Sequence, residues 1–193
     1  AKGTTVSRWI DAVLEKKENI AQANPVKGLF FWGHAPNSQT RGLDMKRAMD
    51  ALDLLVVVDP YPTATAAMAA MQTEGTVNPN RAVYLLPAST QFECSGSVTA
   101  SNRSLQWREK VIDPLFESLP DHVIMQAIAD KMGFGDEMSK NYTMLTTKFA
   151  GKEWREPQIE SILEEINKGL WTIGYTGQSP DRLKAHMRNM HLF

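Results

Sequence analysis

Val6, Trp9, Ile10, Val13 and Leu14 recur at the spacing of one helical face and predict an amphipathic helix capped by Thr4 or Thr5. Asn24-Pro25 ends that segment, and the pattern then changes. Gly28 to Trp32 is a short continuous apolar run, the mark of a strand buried on both sides. A second helix is predicted from Thr40, with Met45, Ala48, Met49 and Leu52 on one face, and it leads directly into the run Leu54-Leu-Val-Val-Val-Asp59. Thr63 to Met71, rich in Ala and Met, favours a short helix. Asn78-Pro-Asn80 makes a turn before a third apolar run, Ala82-Val-Tyr-Leu-Leu86. Strand, helix, strand, helix, strand at this spacing calls for right-handed crossovers and a parallel sheet.

Beyond Pro87 the pattern loosens. Residues 89–104 are dominated by Ser, Thr, Gly and Asn and read as a long loop of the functional kind. A helix is expected from about Pro120, closed by Gly133 and Gly135. Residues 141–151 show no clear period, and Pro157 is expected to open a helix carrying Ile159, Ile162, Leu163, Ile166 and Leu170. Ser179-Pro180 opens a last helix with Leu183, His186, Met187 and Met190 on one face, an apolar stripe that asks for cover from outside the segment. The fold class that follows is α/β, a Rossmann-like parallel sheet flanked by helices with a mainly helical C-terminal part. The expected division is an α/β domain over 1–135 and a helical extension over 136–193.

Composition narrows the partners. Lys and Arg number 21 against 22 Asp and Glu, a net charge of -1, so no strong field draws the chain to nucleic acid or an anionic membrane. The apolar runs are strand-length and too short to span a bilayer. A single cysteine, Cys94, excludes an internal disulfide framework and a cysteine-rich metal or cluster site within these residues. The start, Ala1-Lys-Gly-Thr-Thr5, has neither a leading Met nor the pattern of a signal peptide, which suggests a piece of a longer chain.

The candidate chemistry lies where the strands end. In open parallel sheets ligands bind at the carboxyl ends, where loops and helix N-termini present N–H groups. Gly33 after the first strand lets a ligand approach the backbone, and His34, Asn37, Ser38 and Gln39 supply donors beside it. Asp59 at the end of the second strand can accept two hydrogen bonds from a guanine edge or a ribose diol; its competing role is to cap the helix that follows. Neither loop carries GxGxxG or a phosphate-binding lysine loop. The four histidines lack metal spacing. Glu93, Arg103 and Arg108 could form a polar network in the long loop, although such groups are usually solvated.

Gly-His-Ala-Pro at 33–36, Val-Val-Val-Asp-Pro-Tyr-Pro-Thr-Ala-Thr-Ala at 56–66, Ala-Val-Tyr-Leu-Leu-Pro at 82–87, and Glu93-x-x-Gly96-Ser-x-Thr99 followed by Asn-Arg-Ser-Leu-Gln at 102–106 together resemble the molybdopterin oxidoreductases related to dimethyl sulfoxide reductase. The wording at 32–42, 105–108 and 171–180 is most similar to catalytic alpha subunits of molybdenum or tungsten formate dehydrogenases. The resemblance implies an internal segment that binds molybdopterin guanine dinucleotide. Gly33, His34 and Pro36 would line the phosphate and ribose side, Asp59 would hold the guanine, and Thr63 would follow at the start of the next helix, with Asn37, Ser38 and Pro60 also in the cofactor-binding set. Ala35, Ala64 and Val83 depart from the family's usual Asn, Glu and Asp. The resemblance also implies formate oxidation to CO₂ in the full subunit, with Mo or W and a 4Fe-4S cluster held outside this segment, and no catalytic residue or metal ligand within it. The segment alone would be inactive. The implied partners are the rest of the catalytic subunit, an iron–sulfur electron-transfer subunit and a membrane partner, in the periplasm or alternatively the cytoplasm. A sibling oxidoreductase acting on nitrate or polysulfide, a free-standing nucleotide-binding module and a structural scaffold domain are the other readings.

Overall fold

The structure is a computed structural model and describes residues 5–15, 22–34, 41–63, 65, 82–169 and 178–189. They fall into two compact units, 1–87 and 88–193.

The first unit is the α/β sheet that the apolar runs predict. Strands β1 (Gly28–Trp32), β2 (Leu54–Asp59) and β3 (Ala82–Pro87) pair in parallel in the order β1-β2-β3. Two helices, α1 (Trp9–Leu14) and α2 (Gly42–Ala51), cover one face. The periodicity explains the packing: Trp9, Ile10 and Val13 of α1 and Met45, Ala48 and Met49 of α2, with Leu52 after it, meet Phe31, Leu55 and Val57 in one buried cluster. Side chains alternate across a strand, so Val56 and Val58 point to the other face, and they too are buried. That two-sided burial is why β2 reads as an unbroken apolar run. Burying each such side chain is worth roughly 1.5–3 kcal/mol.

Details at the helix starts differ from the periodic pattern. Thr5 precedes a 3₁₀ turn, Val6–Arg8, and its side chain makes no capping bond. Thr40 lies outside the described residues. The second helix is instead preceded by Arg41 in the left-handed region (φ 68°), whose guanidinium bonds Asp11 at 2.7 Å and Asp44 at 3.1 Å. Arg41 and Arg8 hold the Asp11 carboxyl below the usual range.

The second unit combines helices with two β-hairpins. Strands β4 (Gly96–Thr99) and β5 (Leu105–Arg108) pair antiparallel, as do β6 (Met144–Phe149) and β7 (Lys152–Pro157). Helices α3 (Asp121–Met132), α4 (Gly135–Met138), α5 (Ile159–Gly169) and α6 (Pro180–Arg188) complete it. The polar stretch 89–104 is thus partly a strand, the unpatterned stretch 141–151 is most of a hairpin, and Pro157 ends β7, so the helix begins at Ile159. Gly133 closes α3 as expected (φ 85°), but Gly135 opens α4. A side chain at 135 would put its Cβ 1.8 Å from Asp130 Oδ1. Ser179 caps α6 by accepting a hydrogen bond from the Arg182 N–H at 3.2 Å, with Pro180 in the first turn. The apolar face of that helix finds cover nearby: Leu183 packs with Trp107 and Leu163, and Met187 packs against them. Lys184 lies 4.7 Å from the centre of the Trp107 ring and bonds Glu160 at 2.9 Å.

Candidate functional site

Three parallel neighbours put their carboxyl ends on one edge of the sheet, and that edge gathers the candidate residues of the first unit. The Gly33 N–H donates to the Val58 carbonyl at 2.9 Å, which sets Gly33 beside Asp59. Asp59 itself sits opposite Pro87 of β3. Gly33 has φ +55°, a conformation that L side chains rarely adopt, and among the described residues nothing lies within 4 Å of where a Cβ would stand. His34 follows, its ring 6.4 Å from that of Phe31.

Asp59 uses Oδ1 to accept the Tyr61 N–H at 3.1 Å, an Asx turn that carries the chain through Pro60 toward Thr63. Among the described residues Oδ2 has no protein partner, so a donor pair can still bind this carboxylate. The Thr63 hydroxyl is shut off from solvent and has no hydrogen-bond partner among the described residues. A buried hydroxyl left unpaired costs about 1–3 kcal/mol. Thr65, two residues on, is completely buried. The structure therefore brings Gly33 and His34 at the end of β1 beside Asp59 and Pro60 at the end of β2; Pro36, Asn37 and Ser38 lie outside the described residues.

Sequence reasoning missed the polar centre of the second unit. Glu93 is 3% exposed. Its Oε2 accepts the Thr90 N–H at 2.5 Å and its Oε1 the Leu115 N–H at 2.8 Å. Burial pushes its pKa up, but the Thr90 and Leu115 donors outweigh that and hold it below the usual carboxylate range. It meets neither arginine: Arg108 donates to Gln91, and Arg103 stands exposed at the tip of the β4–β5 hairpin (φ 69°). The Cys94 thiol has its pKa raised, chiefly by burial, which argues against a nucleophile.

A cavity of about 500 Å³ opens beside this centre, with Met125, Ile159, Ile162 and Ile166 as apolar lining and Arg108 and His122 among its polar groups. His122 Nε2 lies 2.8 Å from Glu156 Oε1, and Thr147 Oγ1 donates to the other oxygen of the same carboxylate. Burial pushes Glu156 up, and His122 and Thr147 more than reverse it. Both partners bond the carboxylate rather than each other, so this is not a nucleophile–base arrangement. Its position depends on the β6–β7 hairpin. The one available sequence signal was Ala150-Gly151, where both residues have positive φ (49° and 76°) in a two-residue turn. Among the described residues no group of three or more His, Cys, Asp or Glu could hold a metal ion. No described helix is long and apolar enough to cross a membrane.

A family model described as molybdopterin oxidoreductase matches residues 10–131. The F420-dependent formate dehydrogenase subunit alpha of Methanocaldococcus jannaschii is 30% identical over 183 residues, 94% of this chain and 21% of that subunit. A Staphylococcus aureus protein (strain bovine RF122) with a provisional formate dehydrogenase name is 31% identical over 135 residues, 67% of this chain and 12% of its own length. A second, from strain USA300, is 29% identical over 161 residues, 83% and 13% respectively. The chain thus spans about a fifth of the archaeal subunit's length, and less of the staphylococcal ones.

Proposed function

Because this chain belongs to the molybdopterin oxidoreductase family, we propose that it is a cofactor-binding segment of a longer formate dehydrogenase catalytic subunit. The observation that carries the site is the placing of Gly33 beside Asp59 where the parallel strands β1 and β2 end. The family implies a molybdopterin cofactor, and these residues suit its guanine dinucleotide form. The Asp59 carboxylate, whose Oδ2 has no partner among the described residues, accepts from a guanine edge, Gly33 admits a phosphate or ribose, and Thr63 belongs to the same set. His34 and Pro60 shape the same edge, and Pro36, Asn37 and Ser38 complete the proposed set.

When bound, the cofactor supplies the two-electron redox centre for taking formate to CO₂, a proton and two electrons. The residues of this chain bind and orient; none of them is assigned a chemical step, and the segment alone is inactive. The proposed cofactor-binding domain runs over 1–135, with 136–193 an extension packing on the rest of the subunit. Mo or W and a 4Fe-4S cluster belong to the full subunit. Electrons leave through an iron–sulfur subunit to a membrane partner. The periplasm is the proposed compartment and the cytoplasm the alternative, separable by cell fractionation.

The test is the native protein purified without oxygen, assayed for pterin, metal and formate-dependent dye reduction. Pterin, Mo or W and formate activity together support the reading. Pterin and metal with nitrate or polysulfide activity would move it to a sibling oxidoreductase, and a chain free of pterin and metal would refute it.

A further inference from the structure

The cavity of about 500 Å³ lies wholly within the second unit, and its volume is in the range that holds small organic ligands. Met125, Met138, Ile162 and Ile166 give it an apolar wall. Met125 and Ile166 are also about half exposed (46% and 50%), so the cavity opens to solvent through an apolar mouth. Met138, Ile162 and Ile166 lie beyond residue 131, where the family match ends, so part of the wall is built outside the matched domain.

Arg108, the last residue of β5, supplies the cation on this wall. Its Nη1 donates to Gln91 Oε1 at 2.5 Å, and Gln91 lines the same cavity. Arg108 forms no ion pair with any described residue. Other cations of the unit do: Lys110 with Asp113 at 2.8 Å, Lys184 with Glu160 at 2.9 Å, and Arg155 with Asp130 and Asp136 at 2.7 Å each. The Gln91 bond leaves the Nε–Nη2 edge of the guanidinium, whose two parallel N–H groups fit the two oxygens of a carboxylate. Two further charged side chains on the wall limit what can enter. His122 bonds Glu156, and Asp121 is acidic, so a second negative charge on a ligand would be repelled there.

We infer that this cavity binds a small monocarboxylate with an apolar body, its carboxylate on the Nε–Nη2 edge of Arg108 and its body against Met125, Ile162 and Ile166. The site shares no residue with the strand-end edge and carries no chemical step.

The test uses the intact, anaerobically purified protein, with octanoate as the probe and octanamide as its uncharged counterpart. Affinity is measured by isothermal titration calorimetry, and the site is located by amide exchange at saturation. Octanoate is expected to bind and to slow exchange in peptides over 91–98 and 159–166. Octanamide, and octanoate with the Arg108→Gln variant, are each expected to bind at least about tenfold more weakly, the loss that goes with a hydrogen bond to a charged group. Equal affinity for octanoate and octanamide would overturn the inference, because apolar contact alone would then hold the ligand. Unchanged affinity in a folded Arg108→Gln variant would do the same. Slowed exchange confined to other peptides would place the ligand elsewhere and overturn it, and so would a native protein that does not bind octanoate. The comparison of octanoate with octanamide needs no substitution, so it decides the matter even where the variant does not fold.

Discussion

Replacing Glu93 by Gln removes a charge with almost no change of shape, and the consequences can be worked from the two hydrogen bonds it makes. The carboxylate accepts Thr90 N–H at 2.5 Å and Leu115 N–H at 2.8 Å while 3% exposed. The amide of Gln can offer its oxygen to only one of these donors, and its NH₂ then faces the other, leaving a buried N–H unpaired. Such a loss is worth about 2–3 kcal/mol, or about 30- to 150-fold in a local opening equilibrium. Amide exchange of the peptides covering 89–95 and 109–118 reads that equilibrium directly when reclosing is fast. The sign with pH follows from the lowered pKa of Glu93: its stabilisation is present above the ordinary carboxylate pKa and is lost as pH falls through the lower folded value. The gap between wild type and Glu93→Gln therefore narrows on acidification. Exchange within about threefold of wild type at neutral pH, against the opening expected from loss of a buried hydrogen bond, would refute the reasoning.

Three further outcomes follow from the same structure. Thr63→Val removes an unpaired buried hydroxyl, so the cofactor-free protein should be stabilised by about 1 kcal/mol in denaturant titration while cofactor retention weakens; destabilisation of the cofactor-free form would count against the ligand role. Ala150→Asn relieves a left-handed alanine in a two-residue hairpin turn and should stabilise β6–β7 by about 1 kcal/mol, seen as slower amide exchange across 144–157. Glu156→Gln should loosen the contact between α3 and β7 at neutral pH, with the difference fading as pH falls below the ordinary carboxylate range, because the Glu156 pKa is lowered by His122 and Thr147.

The first unit was legible in the sequence because its elements are bound by short-range rules. The faces of α1 and α2 show their period, and β2, buried on both sides, shows as an unbroken apolar run ending in Asp59. The strand-end position of Gly33 and Asp59 follows from parallel pairing alone. The unpaired state of Thr63 could not be read, since it depends on what surrounds the hydroxyl in space. The hairpins of the second unit escaped because their strands mix exposed and half-buried positions without strict alternation, and the β6–β7 turn uses Ala150 where Asn would have announced it. Glu93 was read with the solvated loop charges because its two donors come from Thr90, three residues away, and Leu115, twenty-two away.

Whether the Asp59 edge holds the cofactor is read from the pterin dinucleotide content of the intact, anaerobically purified protein carrying Asp59→Ala, measured beside wild type by mass spectrometry of the released cofactor. Pterin guanine dinucleotide is expected in the wild type, with a marked loss from a variant that remains folded. Equal, full content in both would show that the Asp59 edge of the sheet does not hold the cofactor.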